Sequence, residues 1–325
     1  MTARQPPEWA PHACVWIGFP SHDDLWPDGI EPAREEVVAF ARSVHAGGKG
    51  EEVRLVAADP DSVEQAKALA PFATVVQEPF GDIWLRDTGP IIVKEGNRRQ
   101  ALAFRFNGWG GKYEYAGDAT VGLRLAGTID LDPIRHEWVL EGGAIDVDGT
   151  GLAVTTEQCL LNPNRNPGID RPEMEARLRD ALGIERLVWL GDGLLNDHTD
   201  GHVDNLARFV AEGTLAVPVP ESSGDPNHQV YADARYRALE SGLEVRLVPS
   251  PGGIERDGRI VPASYMNFYV GNAAVVIPVW GAANDEAAVE LIGSFFPGRE
   301  AVALRADHIL TGGGSFHCIS QQVPA

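Results

Sequence analysis

Cysteine is scarce in this chain of 325 residues: Cys14, Cys159 and Cys318 are the whole supply. No CxxC pair occurs, and an odd, sparse set argues against a disulfide framework or a zinc ribbon. Basic residues are also short, with 27 Lys and Arg against 47 Asp and Glu, a formal charge of −20. Such a surface repels nucleic acid and anionic membranes and draws in small cations. Long apolar runs are missing. The most apolar late stretch, "GNAAVVIPVWGAA", is too short for a bilayer and contains Pro278. The opening "MTARQPPEWAPH" has no apolar signal core. These absences predict a cytoplasmic protein whose partners include neither membrane nor nucleic acid. They leave homo-oligomerisation open.

What is present is a periodic pattern. Amphipathic spacing predicts helices over roughly 31–47, 115–126, 171–182, 228–242 and 284–296. The stretch "RPEMEARLRDALG" carries the signals well, with Pro172 at the start, acids early and Gly183 at the end. The last four helices recur at intervals of about 56 residues. Each is followed by a short apolar strand: "WVL", "RLVWL", "EVRLV", "AVALR". Two further strands precede the next helix, so the unit is strand–strand–helix–strand. Four units fit between about 89 and 305, and a fifth draws on "FHCISQQ" and "ACVWIGF" from the two ends. An additional helix–strand piece covers 59–78. Units that cannot bury their apolar faces alone suggest a closed ring. An ordinary two-domain α/β protein is the competing arrangement.

The unusual residues fall at the joints between units: "GDIWLRDTGP", "LEGGAID", "GDGLLNDHTDGHVD", "PSPGGIERDG" and "DHILTGGGSFHC". In "DGHVD", an extended backbone would put His202 and Asp204 on one face, a proton carrier beside a charge binder. His198 and His202 are four apart, but Thr199 stands where HExxH needs Glu, so we expect no metal. In "DIWLRDTGP", Asp82, Trp84, Arg86 and Asp87 precede a Gly-Pro exit; a carboxylate beside an indole suits a flat cation. Taken alone, Trp84 reads as core and Arg86 as half of a surface ion pair. Gly312, Gly313 and Gly314 leave a bare backbone leading to Cys318, where a ligand can approach closely. A Cys there reads as a nucleophile, which works as the thiolate and needs a positive neighbour or a base. Cys14 and Cys159 lie in apolar, strand-like runs and read as buried structural residues.

With these segments assembled, the sequence resembles the agmatine deiminase family, also called the bacterial-type peptidylarginine deiminase family. The resemblance rests on "PEWAPHACVWIGFP", "DIWLRDTGP", "FNGWGGK", "LEGGAI", "NDHTDGHVDNLARF" and "GGGSFHCISQQ", and runs from about 6 to 324. It implies one catalytic domain over residues 1–325 with a five-bladed, pseudosymmetric α/β propeller fold. It also implies a nucleophile at Cys318, a general acid/base at His202, and guanidinium-binding carboxylates at Asp87 and Asp204. Trp84 and Trp109 would stand near the substrate, and Glu141 would shape the pocket. The implied reaction hydrolyses agmatine to N-carbamoylputrescine and ammonia through an amidino-cysteine intermediate, with no metal or organic cofactor. Arginine, methylated arginine or peptidyl arginine are alternative substrates, and Arg86, Arg105, Arg165 and Arg256 could each meet a carboxylate. An amidinotransferase and a non-catalytic cation-binding module are the other readings.

Overall fold

Short apolar segments of this chain are buried on both faces and need helices or neighbouring sheets to cover them. The clearest are Leu152–Thr156 and Ala274–Val279, with every residue buried. Each forms the middle of its own small sheet in the computed structural model, which describes residues 3–325. The sheets repeat one pattern: the middle strand is antiparallel to the strand before it and parallel to the strand after it. Thus Arg98–Arg105 lies between Ile91–Glu95 and Ile134–Val139, and Leu152–Thr156 between Ile145–Val147 and Arg186–Leu190. Thr214–Val219 lies between Arg208–Ala211 and Glu244–Pro249, and Ala274–Val279 between Tyr269–Val270 and Glu300–Arg305. In the remaining sheet His12–Gly18 pairs antiparallel with Ser320–Pro324 and parallel with Glu52–Ala57, and Thr74–Gln77 adds a fourth strand. The result is an α/β fold of separate mixed sheets, with no closed barrel among the described residues.

A parallel pair needs a crossover, and a helix supplies each one. The helices are Ile30–His45, Asp118–Gly127, Arg171–Leu182, His228–Glu240 and Asp285–Ser294. In Arg171–Leu182, the Asp170 side chain accepts from Glu173 N at 3.0 Å and caps the first turn. Met174, Leu178 and Leu182, four apart, make its buried stripe. Each such buried side chain contributes roughly 1.5–3 kcal/mol. The extra piece is Pro60–Leu69 and Thr74–Gln77. The strand–strand–helix–strand unit read from the sequence therefore recurs five times.

Several local expectations need correction. His202 and Asp204 do not share an extended strand. Asp200 and Gly201 take positive φ (62° and 85°), and the chain then enters a 3₁₀ turn, Val203–Asn205. Cys159 lies in a single helical turn, Glu157–Leu160, not a strand, because the Thr156 hydroxyl caps Cys159 N. The joint "PSPGGIERDG" leads into a small hairpin, Glu255–Arg256 with Arg259–Ile260, and brings no residue to the buried cluster described next. Arg86 is no surface residue: it is 3% exposed.

Candidate active site

The joints between sheets converge, and buried hydrogen bonds fix how. The Arg86 guanidinium donates to Gln321 Oε1 at 2.8 Å and Gln322 Oε1 at 2.7 Å, and its backbone N donates to Cys318 O at 3.0 Å. That ties the one-turn helix Leu85–Thr88 to the turn ahead of Ser320–Pro324. Asp87 and Cys318 ride on the two segments so joined. Asp87 Oδ1 accepts from Gly143 N at 2.9 Å, and Oδ2 accepts from Trp109 Nε1 at 2.9 Å. Trp109 holds a left-handed backbone (φ 51°) inside "GWGG". That conformation costs a non-glycine residue about 1–3 kcal/mol. The indole bond to Asp87 and edge-on packing against Phe106 offset it.

Gly143 is the hinge of the cluster. A Cβ there would lie 2.7 Å from His202 Nδ1, 2.9 Å from Asp87 Oδ1 and 3.0 Å from Asp204 Oδ2. Only a residue without a side chain lets these three groups meet. His202 Nδ1 stands 3.6 Å from Asp87 Oδ2, and Nε2 stands 3.9 Å from Glu141 Oε2. Cys318 Sγ lies 3.4 Å from Asp204 Oδ2 and receives a hydrogen bond from Asn267 Nδ2 at 3.0 Å. The four residues expected to act together therefore lie in one buried cluster, joined pairwise as Asp87–His202 and Asp204–Cys318.

A cavity of about 180 Å³ opens onto this cluster. Its walls include Cys318, Asp87, Trp84, Trp109, Asp82 and Tyr115. Added side chains at Gly312 and Gly314 would lie 2.2 and 2.7 Å from the Trp84 ring, so the glycines let the backbone pack onto the indole beside the sulfur. Trp84 is thus both buried and a cavity wall. His202, Asp204 and Glu141 stand behind the wall with no exposed surface. Glu141 faces His202, not the cavity, and its Oε1 accepts from Arg165 Nε at 2.7 Å. The inner cavity leads to a wider vestibule of about 1140 Å³ past Tyr113, His198 and Thr311.

The electrostatics divide the titrating groups. Burial, reinforced by the carboxylates of Asp204 and Asp87, pushes the Cys318 thiol well above its ordinary value. Burial also raises Asp87, and the negative Asp204 and Glu141 add to it against the pull of His202. For Asp204 burial pushes up, but the hydrogen bond from His317 and the charges of His202 and Arg208 prevail and lower it. Burial opposes charge on His202, yet Asp87, the neighbouring Cys159 sulfur and then Glu141 raise it well above the usual range. Glu141, Cys159 and His202 place donor atoms within 4.8 Å of one another, the nearest approach to a metal-ligand set among the described residues. Arg165 already holds Glu141, and a second cation there would meet its charge.

Three site features escaped the sequence reading. Asn267 accepts from both Ser315 N and Cys318 N while donating to the sulfur. Its signal was a lone amide inside the apolar run "SYMNFYV". Gly143 and His317 were inside quoted motifs, but nothing in one dimension marks their contacts.

An α/β fold of repeated mixed sheets, with a cysteine, a histidine and two aspartates gathered at the joints, defines the class. The comparisons agree. Residues 4–324 match the model of the Porphyromonas-type peptidyl-arginine deiminase family, and the chain belongs to that family. It is 35% identical to the agmatine deiminase of Stutzerimonas stutzeri over 98% of this chain and 95% of that protein. The solved agmatine deiminase of Enterococcus faecalis superposes with a TM-score of 0.94 at 31% identity, covering 99% of this chain and 96% of that one. A C. jejuni agmatine deiminase solved with substrate bound gives 0.93 at 27% identity, covering 100% and 97%.

Proposed function

We propose that the chain is a deiminase of agmatine, hydrolysing it to N-carbamoylputrescine and ammonia. The observation that carries the substrate choice is the lining of the inner cavity: it holds the thiol, Asp87 and a second acid, Asp82, and neither Arg nor Lys. A dication meets two acids there, whereas the carboxylate of arginine meets no Arg or Lys. The arginines that left this open are engaged elsewhere. Arg86 bonds Gln321, Gln322 and Glu8, and Arg165 bonds Glu141 and Asp200. Arg256 pairs with Asp307 in the vestibule, and Arg105 lines a separate cavity. Burial pushes Asp82 up to about 7, so an arriving ammonium restores its charge and gains a charge-assisted hydrogen bond.

In this reading Asp87 and Asp204 grip the guanidinium N–H groups in plane and hold its carbon against the sulfur, an orientation effect. The substrate's positive charge offsets the burial and the carboxylates that keep Cys318 protonated, and the thiol gives its proton to water in the cavity as the cation enters. The sulfur adds to the guanidinium carbon, and the C=N electron pair moves onto nitrogen. His202, protonated at rest, gives its proton to the departing nitrogen; the C–N bond breaks and ammonia leaves. Neutral His202 then takes a proton from water, hydroxide adds to the amidino carbon, the C–S bond breaks with its electron pair on sulfur, and the surplus proton of the hydroxyl returns to the thiolate as the ureido product leaves. Glu141 orients the imidazole, and Trp84 and Trp109 flank the cation with their rings. We further infer that the five units stand around a common axis as a propeller, that residues 1–325 are one catalytic domain, and that the protein works in the cytoplasm. No helix among the described residues is long and apolar enough to cross a membrane.

The test is turnover of agmatine and of arginine, read as ammonia release, with intact-mass detection of a trapped amidino adduct. Faster arginine hydrolysis overturns the substrate. Release of the diamine with a guanidinylated acceptor, and no ammonia, points to amidino transfer. Binding without any release leaves a cation-binding module.

A further inference from the structure

Behind the catalytic cluster lies a second histidine that no step above uses. His317 is the neighbour of Cys318 in sequence and is 2% exposed. Its Nδ1 is 2.7 Å from Asp204 Oδ2, and its Nε2 is 2.7 Å from Glu8 Oε2. Glu8 comes from the first described residues, yet it is the hub of the interior. Its Oε1 accepts from Val270 N at 2.7 Å, and Oε2 also meets Arg208 Nη2 at 3.0 Å and Arg86 Nη2 at 3.4 Å. Glu8 is therefore held by Val270, Arg208 and Arg86, and His317 links it to Asp204. The other Asp204 oxygen, Oδ1, is buried and has no partner among the described residues.

We propose that His317 is a positioning residue: bridging Glu8 and Asp204, it donates from both ring nitrogens and holds Asp204 with Oδ2 beside the Cys318 sulfur and Oδ1 free for the substrate cation. The inference rests on the deiminase reading above for what Asp204 grips, but the bridge itself does not. Carboxylates that stay ionised only accept, and burial notwithstanding, both Glu8 and Asp204 are held below the usual carboxylate range. The groups facing Asp204 are His317, Cys318, His202, Asp87, Arg208 and Arg86. Among them His317 alone combines hydrogen-bond contact with a rigid anchor on its far side. A 1 Å drift of a positioned group costs about 100-fold in rate, which sets the expected scale.

Two measurements on the full chain test this. The first uses no substrate. Proton NMR of histidine-labelled protein should show two exchange-protected, downfield imidazole N–H signals from His317. Both should vanish in His317→Asn, and the Nδ1 signal alone should move in Asp204→Asn. Absence of the pair in the native chain overturns the proposal, whatever the enzyme acts on. The second is steady-state agmatine hydrolysis. His317→Asn should lower kcat/KM about 100-fold, with a raised KM, and should shift the acid limb of kcat/KM to higher pH as Asp204 loses its hydrogen bond. A merely structural histidine would scale kcat alone, with KM and pH profile unmoved, and that result sinks the idea. If His317→Asn does not fold, Glu8→Gln gives the same reading: an amide oxygen still accepts, so a smaller loss of the same pattern is expected and an unchanged profile refutes it. Native protein that releases no ammonia from agmatine refutes the substrate reading instead.

Discussion

Two buried histidines act on Asp204, and they are built in opposite ways. His317 has both ring nitrogens within 2.7 Å of a carboxylate oxygen. His202 has both ring nitrogens buried with no strict hydrogen bond among the described residues: the nearest carboxylates are 3.6 and 3.9 Å away, and its close polar neighbour is the Cys159 sulfur. An unpartnered buried polar group costs about 1–3 kcal/mol, so a fold keeps one only where something else is served. The region around His317 is satisfied and fixed. The region around His202 is held open by Gly143 and charged by Asp87 and Glu141, ready to hand a proton on. The difference teaches that one protein can spend the same residue type as a strut and as a reagent, and that partner count separates the two.

The comparison can be broken from the reagent side first. His202→Gln should lower kcat by about 1000-fold, within the range for lost acid–base catalysis, while agmatine still binds; a loss under tenfold in an ammonia assay would mean the open imidazole is idle. Gly143→Ala comes next. Its methyl would overlap His202, Asp87 and Asp204 at once, so we expect kcat/KM to fall about 100-fold with the fold retained by circular dichroism. Near-native kinetics would show that the cluster is not so tightly drawn. Asp82→Asn should raise KM for agmatine about tenfold, near 1.4 kcal/mol, and leave kcat within twofold; an unchanged KM would remove the ammonium partner from the account. The smallest effect is in pH. Cys318 is raised in the free protein, so kcat/KM should climb toward alkaline pH as the thiol ionises. Bound guanidinium stabilises the thiolate, so the corresponding limb of kcat should lie lower, by about one unit. Coincident limbs would mean that the bound guanidinium does not stabilise the thiolate.

Much of this was legible in one dimension because it is local. Pro172, the early acids and Gly183 predicted the helix Arg171–Leu182, and the recurring unit predicted five sheets with the pattern found. Chemistry at the joints pointed to Cys318, and the family resemblance singled out His202, Asp87 and Asp204 beside it. What was hidden is non-local. Glu8 and His317 are separated by nearly the whole chain, and nothing in "PEWAPH" signals an interior carboxylate. Arg86 looked like half of a surface pair because its partners, Gln321 and Gln322, lie at the far end. The turn at Val203–Asn205 was missed because Asp200 adopts a backbone conformation that acidic residues tolerate but do not announce. Cys159 was read correctly as buried and incorrectly as part of a strand.

The sheet that carries the sulfur is joined from strands about 300 residues apart, Ile17 opposite Ser320, a closure that is slow to find. During synthesis the other four sheets can form while that seam is still incomplete. A nascent chain would therefore gain most of its architecture while remaining chemically silent, and its reactivity would arrive as one late, discrete event.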